Sequence, residues 1–248
     1  MIRAAIFDLD GTLVQTERLK ALSYARAAVD LCPYTLAEAT VIDAFKDVVG
    51  LSRREVATHL VERFDLQEKA AALMDQFGVS TPWQAYVQVR LRHYHALIAD
   101  PDVLRSNQWP HNVAVLEAAR ADGCQTALAT MSRCEQATRV LDILGWADRF
   151  NFIATRDDVT HSKPDPEIYL LVLSELAVDP QDAFVLEDSP SGVQAALAAE
   201  IAHVFAVTTP FTRDRIRSAG LLPEDHIVDD PDRLPGILAA LLDRAKNS

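Results

Sequence analysis

The sequence has 248 residues, of which 49% are hydrophobic and 24% charged, which suits one large globular domain or a core with a smaller insertion. The net charge of -12 argues against general binding to nucleic acid or to an anionic membrane, because both favour basic surfaces. The cysteines, Cys32, Cys124 and Cys134, match no zinc spacing and predict reduced thiols. With a first apolar stretch too short for a secretory signal and no membrane-spanning run, we expect a cytoplasmic protein.

The first predicted element is a buried strand that ends in two carboxylates. Ala4 to Phe7 are apolar and run directly into Asp8-Leu9-Asp10-Gly11-Thr12. Asp8 and Asp10 project to the same side if the extended geometry persists between them. Two like charges this close are tolerated when they bind a cation or when one of them keeps a proton. Because α/β proteins bind ligands at the carboxyl ends of their strands, this strand end is a candidate site.

A stretch that favours helices follows, from about Glu17 to Ala99, with no predicted strand. Asp100-Pro101-Asp102 predicts a hinge after it. We therefore expect an inserted, all-helical domain over residues 17–100. Its predicted helices include Arg53 to Phe64 with Ser52 as the N-cap, Leu66 to Phe77, and a third that begins with Pro82 after Thr81.

Beyond the hinge, strands and helices alternate, which predicts an α/β fold with a parallel sheet covered by helices on both faces. The core domain is expected over residues 1–16 and 101–248. The predicted strands are Gln125 to Thr130, Phe150 to Thr155, Ala183 to Glu187 and His203 to Thr208. The predicted helices begin at Pro110 and Ser132 and cover Asp165 to Leu176 and Ser191 to Glu200.

Two short polar clusters follow the predicted strands of the core. Thr130-Met131-Ser132-Arg133 comes directly after an apolar strand. Ser132 with Glu135 fits a capping box, and taken alone the pattern favours that interpretation, although hydroxyls and free amides at such a turn also bind anions. Lys163-Pro164-Asp165-Pro166-Glu167 is the second cluster, and taken alone it indicates only a solvated lysine before a helix.

The predicted strand Ala183 to Glu187 also ends in carboxylates, because Glu187 is followed by Asp188 and a turn of small residues. A pair of solvated turn acids explains either acidic cluster alone but explains both poorly. Carboxylates from separate segments, with positions left for water and phosphate oxygens, suit Mg²⁺. The two strand ends therefore predict one magnesium site.

Taken in chain order, Asp8-Leu9-Asp10-Gly11-Thr12, Thr130, Lys163 and Glu187-Asp188 resemble the four motifs of the haloacid dehalogenase-like hydrolase superfamily. The resemblance spans residue 3 to about residue 209. The helical insertion between the first two motifs resembles the cap of the subgroup that contains β-phosphoglucomutase and phosphoglycolate-type phosphatases. The resemblance implies a Rossmann-like three-layer core with a mobile helical cap.

The resemblance also implies a role for each motif residue. Asp8 would be the nucleophile that becomes an aspartyl phosphate, and Asp10 the general acid and base. Asp8, the main-chain carbonyl of Asp10 and Asp188 would hold Mg²⁺, with Glu187 holding a water ligand of the ion. Thr130 and Lys163 would bind the transferring phosphoryl group. Asp10 argues against carbon–halogen cleavage, because the dehalogenases of the superfamily lack a second aspartate there.

The helical insertion carries the candidate residues for substrate selection, together with Ser132 in the core. Gly50-Leu51-Ser52-Arg53 and Thr16 resemble β-phosphoglucomutase segments, in which the arginine grips the distal phosphate of the substrate. Arg90 falls where those mutases carry a lysine, and Lys20 lies where a cation could meet a substrate phosphate. For Arg53, Arg54 and Arg90 a solvated helix face is an equal alternative. Val49, Gln15 and Lys20 depart from the mutase pattern, which argues against mutase activity.

The sequence therefore predicts a Mg²⁺-dependent phosphatase of a small phosphorylated metabolite, a sugar phosphate above all. A phosphomutase of the β-phosphoglucomutase type is the alternative, and a non-catalytic phosphometabolite-binding protein is the alternative of another class. A pure binder needs neither a nucleophile nor an acid, which disfavours the last. We expect no nucleic-acid or membrane partner, and a monomer or a weak homo-oligomer.

Overall fold

The computed structural model describes residues 2–49 and 51–246. The chain divides into two compact units, which we call the core unit, Met1–Gln15 with Leu104–Ser248, and the helical unit, Thr16–Val103. The boundaries therefore fall one and three residues away from the positions expected from sequence. The predicted hinge is not a break in structure, because Asp100 ends one helix and the next begins at Pro101. The first residues of a helix have no partner for their amide groups within the helix, so a proline there loses no hydrogen bond. Pro101 can therefore start a helix.

The core unit is built on a six-stranded parallel sheet with the strand order β3-β2-β1-β4-β5-β6. In the register of the sheet, Phe7 of β1 pairs with Leu128 of β2 and with Leu186 of β4. The residues that follow these three strands are therefore brought to one edge of the sheet. The strands are β1 Ala4–Phe7, β2 Gln125–Ala129, β3 Phe152–Ala154, β4 Ala183–Glu187, β5 His203–Val207 and β6 Ile227–Val228.

Helices cover both faces of this sheet. Val185 packs in an apolar cluster with Ile168 and Val193, whereas its neighbours Phe184 and Leu186 line a small cavity on the opposite face. This alternation along β4 gives the three layers of an α/β fold and confirms the predicted fold class. The helices are α7 Pro101–Ser106, which crosses the unit boundary, α8 Pro110–Ala121, α9 Cys134–Leu144, α10 Glu167–Leu176, α11 Pro190–Ala198, α12 Arg213–Ala219 and α13 Leu234–Lys246.

The predicted strands agree with the observed ones to within two residues at each end. The sequence did not predict β6, because its two residues, Ile227 and Val228, are too short a run to show strand periodicity. The predicted first residues of the helices are less accurate than the predicted strand ends. The helices predicted from Ser132, Asp165 and Ser191 begin at Cys134, Glu167 and Pro190.

The helical unit contains six further helices, and residues 16–49 and 51–103 include no strand. Ser52 caps its helix as predicted, in a reciprocal capping box with Glu55. The single helix predicted from Leu66 to Phe77 is wrong, because the amide of Leu73 bonds to the carbonyl of Ala70, three residues back, and the α-helical pattern stops there. The helices are α1 Thr16–Leu31, α2 Glu38–Phe45, α3 Arg53–Arg63, α4 Gln67–Ala71, α5 Met74–Phe77 and α6 Pro82–Ala99.

A search of the described residues for a helix both long and apolar enough to cross a membrane finds none.

Candidate active site

Asp8 and Lys163 form a buried ion pair at the carboxyl end of β1. The amide of Asp8 donates to the carbonyl of Leu186 at 3.1 Å, which continues the sheet pairing one residue past the strand. The ammonium of Lys163 lies 2.9 Å from Oδ1 of Asp8 and 2.9 Å from the carbonyl oxygen of Ala129, and it also donates to Glu187. The Lys163 side chain is only 4% exposed, so it is not the solvated lysine that its sequence context alone indicates.

Glu187, the last residue of β4, is completely buried, and both of its carboxylate oxygens accept hydrogen bonds. Oε1 accepts from Lys163 and, at 2.7 Å, from the hydroxyl of Tyr169. Oε2 accepts from the amide of Asp188 at 3.1 Å and from the amide and hydroxyl of Ser189 at 3.4 and 3.2 Å. All five hydrogen bonds come from groups of the protein itself.

Asp188 approaches the turn after β1 so closely that only glycine fits there. A Cβ atom at Gly11 would lie 1.9 Å from Oδ2 of Asp188, and the φ angle of Gly11 is +92°, which L side chains rarely adopt. Single oxygens of Asp8, Glu187 and Asp188 lie within 4.8 Å of one another, and all three side chains are buried. Buried carboxylate oxygens at this spacing are the donor set that Mg²⁺ prefers.

The ionisation of this cluster also fits a cation. Burial, together with the charges of Glu187 and Asp10, raises the pKa of Asp8 to about 8 despite the opposing effect of Lys163. Burial by itself would lower the pKa of Lys163, but the carboxylates of Asp8 and Glu187 outweigh it and raise that pKa well above its usual value. A bound divalent cation would counteract the raised pKa of Asp8 and favour its ionised form.

Asp10 is hydrogen-bonded by the two hydroxyls that follow β2. Ser132 Oγ donates to Oδ2 of Asp10 at 2.5 Å, and Thr130 Oγ1 donates to the same oxygen at 3.4 Å. The capping box predicted for Ser132 and Glu135 is wrong. Helix α9 begins at Cys134, whose amide is bonded instead by Oδ2 of Asp157 at 2.9 Å, so the Ser132 hydroxyl is engaged by Asp10.

Because Gly192 has no side chain, the Glu187 carboxylate can occupy the space next to it. A Cβ atom at this position would lie 2.0 Å from the carboxyl carbon of Glu187. Gly192→Ala is therefore expected to destabilise the protein by about 2 kcal/mol, because overpacking forces buried groups to move. The measurement is the free energy of unfolding in urea.

The matched control is Gly236→Ala in α13, where a Cβ atom meets nothing within 4 Å. That substitution should stabilise the protein by up to about 1 kcal/mol, the usual preference of a helix for alanine. Equal effects of the two substitutions would contradict the close approach of Gly192 to Glu187.

The helical unit gathers three of the predicted substrate-binding cations around one tyrosine, Tyr24. The charges of Arg90, Arg53 and Lys20 all act on the Tyr24 hydroxyl, whose pKa burial nevertheless raises. Lys20 is paired with Glu17 at 2.9 Å, and Arg53 is exposed.

Arg90 differs from the other two cations because it is only 5% exposed. Its guanidinium carbon lies 4.9 Å from the ring centre of Tyr24 and 4.4 Å from that of Tyr94, and its Nε has no hydrogen-bond partner. Arg90 is thus not on a solvated helix face. The fourth predicted residue, Thr16, is buried with an unpartnered hydroxyl, and the predicted segment 50–53 begins with a residue outside the described ones.

Sequence reasoning missed the side chains that hold the motif residues in place. Tyr169 lies in an apolar helix, and its sequence context predicts only a core residue. The neighbouring residues give no indication that its hydroxyl donates to Glu187. Ser189, in contrast, is part of the small-residue turn after β4, where its hydroxyl accepts from the amide of Gly192 at 3.1 Å. An N-cap pattern could have identified that serine.

Comparison with known proteins places these residues in a family context. A family model described as haloacid dehalogenase-like hydrolase matches residues 2–200. The chain is 31% identical to the phosphorylated carbohydrates phosphatase of Thermotoga maritima over 83% of this chain and 85% of that protein. It is 30% identical to the phosphoglycolate phosphatase of Rhodospirillum rubrum, over 90% and 86% of the two chains. The crystal structure of a putative β-phosphoglucomutase from Thermotoga maritima superposes with a TM-score of 0.69 at 27% identity, covering 96% and 99% of the two chains.

Proposed function

The chain belongs to the haloacid dehalogenase-like hydrolases and is a phosphoric monoester hydrolase, and we propose that it hydrolyses a phosphorylated carbohydrate through an aspartyl phosphate on Asp8. The observation that carries the proposal is the buried Asp8 carboxylate, hydrogen-bonded to the ammonium of Lys163 at 2.9 Å. A nucleophile must be presented to the phosphorus together with a cation that balances the charge of the phosphoryl oxygens. The carbohydrate class is supported by the name of the Thermotoga maritima relative.

The proposed reaction has two steps. Asp8 attacks the phosphorus, the bond to the ester oxygen breaks, and Asp10 gives its proton to the departing hydroxyl group. In the second step water attacks the aspartyl phosphate, Asp10 takes the proton of that water, and orthophosphate leaves while Asp8 is restored. Ser132 and Thr130 hold the carboxyl of Asp10 at one oxygen and so orient the group that moves the proton.

The carboxylates are proposed to hold Mg²⁺ through Asp8, Asp188 and the main-chain carbonyl of Asp10. When bound, the ion offsets negative charge on these carboxylates and on the phosphoryl oxygens. Lys163 supplies a second positive charge beside Asp8, and Thr130 is proposed to bind the phosphoryl group with it. Asp8 thereby stays ionised at the pH at which it must act as a nucleophile.

Phosphate release from a panel of sugar phosphates and small-acid phosphates in the presence of Mg²⁺ tests this function. Steady release from at least one sugar monophosphate is the expected result. If release stalls and β-glucose 1-phosphate is isomerised only with a bisphosphate primer, the protein is a phosphomutase instead. Binding of these compounds without turnover under either condition would make it a non-catalytic binding protein.

Ser132→Ala is expected to lower kcat about tenfold, because Asp10 loses its 2.5 Å hydrogen bond and with it a fixed orientation for proton transfer. The measurement is steady-state phosphate release on the best substrate of the panel. Ser218→Ala is the matched control, because that hydroxyl is exposed and bonds only to the carbonyl of Arg215. Equal kcat in the two variants would show that Ser132 does not orient Asp10.

Thr16, Lys20, Arg53, Arg90 and Ser132 are proposed to bind the substrate, with Arg90 as the principal group of the helical unit. The Nε of Arg90 is buried and has no hydrogen-bond partner, so the free-energy cost of removing it from water is not compensated. A hydrogen bond from Nε to a polar group of the substrate would compensate that cost. Arg90→Met is expected to lower kcat/KM at least about tenfold, the loss for one charged hydrogen bond. Steady-state kinetics on the same substrate measure this effect.

Arg92→Met provides the control for Arg90. Arg92 lies on the same helix and also stacks on an aromatic ring, that of Phe77 at 4.5 Å, but it is exposed. Its replacement should change kcat/KM by no more than about twofold, as is usual for an exposed residue. If both variants fall equally, Arg90 acts on the stability of the helical unit and not on the substrate.

A further inference from the structure

Lys163 is held by three acceptors, and one of them is fixed by residues outside the four motifs. Its ammonium donates to Asp8, to the carbonyl of Ala129 and to Glu187. The Ala129 carbonyl belongs to the rigid end of β2. The position of the ammonium between the two carboxylates therefore depends on how strongly each one attracts it.

Tyr169 changes how strongly Glu187 attracts the Lys163 ammonium. Its hydroxyl donates to the same Glu187 oxygen, Oε1, that accepts from Lys163, at 2.7 Å. A hydroxyl hydrogen bond to a carboxylate oxygen spreads the negative charge and weakens the pull of that oxygen on the lysine. The ring of Tyr169 is fully buried, and its centre lies 5.1 Å from the Lys163 ammonium. Its face thus adds a weak attraction for the same cation.

The other oxygen of Glu187 is held by the turn after β4. The amides of Asp188 and Ser189 and the Ser189 hydroxyl all donate to Oε2, and the absence of a side chain at Gly192 makes room for the carboxylate. Glu187 is thus fixed at both oxygens by groups of the protein. A carboxylate held by this many hydrogen bonds keeps a fixed position beside Lys163.

We propose that Tyr169 is a positioning residue that, through Glu187, holds the Lys163 ammonium against Asp8. The inference rests on the proposed function, because Lys163 is taken to bind the transferring phosphoryl group. Without the Tyr169 hydroxyl, Glu187 draws the ammonium toward itself and away from Oδ1 of Asp8.

The test is Tyr169→Phe, which removes the hydroxyl and keeps the buried ring. We expect kcat to fall about tenfold and inhibition by orthophosphate to weaken about fivefold, the scale of one hydrogen bond to a charged group. The Mg²⁺ concentration for half-maximal activity should change by no more than about twofold, because no metal ligand has moved. Glu187→Gln should lower kcat further than Tyr169→Phe does. It should raise the Mg²⁺ requirement less than Asp188→Asn does, because Asp188 is a proposed metal ligand.

Thr126→Val is the control for the loss of a buried hydroxyl in the core unit. Thr126 is 1% exposed and donates to the carbonyl of Arg149 at 2.6 Å, at the opposite end of β2 from the site. This variant should lose stability but keep its kcat and its inhibition by orthophosphate. Melting temperatures of all variants, measured with and without orthophosphate, give a readout that does not depend on turnover.

The possible outcomes distinguish failure of the positioning role of Tyr169 from failure of the proposed function. If Tyr169→Phe behaves like Thr126→Val, or if Tyr169→Phe raises the Mg²⁺ requirement as much as Asp188→Asn does, the positioning role is refuted while the phosphatase stands. If the wild-type protein neither releases phosphate nor is stabilised by orthophosphate, the proposed function fails and this inference fails with it.

Discussion

Asp8→Asn is expected to lower phosphate release by at least about 10⁴-fold, because loss of a covalent nucleophile costs far more than loss of a single binding contact. The amide of asparagine has nearly the size and shape of the carboxylate and can still accept from Lys163. What it cannot do is form an acyl phosphate under these conditions. The measurement is single-turnover and steady-state release of orthophosphate from the best sugar phosphate, with acid-stable and acid-labile phosphate on the protein determined separately.

The melting temperature is the control in this experiment. Asp8 is a buried carboxyl whose pKa is raised to about 8, chiefly by burial, so removing its charge should not destabilise the metal-free protein. A variant that melts as high as the wild type and releases no phosphate would support Asp8 as the nucleophile. Retention of more than about a hundredth of the wild-type rate would instead indicate direct attack by water, which needs no aspartyl phosphate.

Most motif residues could be placed from the sequence because they come directly after an apolar strand, whereas Lys163 lies well beyond the end of β3 at Ala154. Parallel pairing puts Phe7, Leu128 and Leu186 level with one another, so Asp8, the Thr130 turn and Asp188 reach the same edge of the sheet. That argument needs only the order of strands and helices. It explains why the sequence indicated that these residues meet at one edge of the sheet, while the predicted helix starts were less accurate.

The contacts between these residues depended on parts of the chain far from the motifs. Ser132 has the local pattern of a helix cap, but its hydroxyl reaches Asp10, 122 positions earlier in the sequence. Tyr169 reads as part of an apolar helix face, yet it donates to Glu187 on a neighbouring strand. Local patterns describe hydrogen bonds within a few residues, and neither of these bonds is local.

Removal of divalent cations is the second change with a large expected effect. Dialysis against a chelator should lower turnover at least about 10³-fold, and added Mg²⁺ should restore it, because three buried carboxylates would otherwise face a phosphate dianion with one lysine. Since the cation binds the folded state, Mg²⁺ should also raise the melting temperature, a readout independent of activity. Asp188→Asn should need more Mg²⁺ for both effects. Full activity in the presence of the chelator would refute a metal site in this cluster.

The pH dependence of Mg²⁺ binding follows from the ionisation of Asp8. Because burial raises the pKa of Asp8 to about 8 in the metal-free protein, Asp8 is only partly ionised at pH 7. A cation must therefore displace a proton to bind, so the half-saturating Mg²⁺ concentration should fall about tenfold between pH 6 and 7, less steeply between pH 7 and 8, and level off above that. In Asp8→Asn no such proton exists, so its weaker Mg²⁺ binding should vary little over the same range. Parallel slopes in the two proteins would mean that another group, not Asp8, gives up the proton when the cation binds.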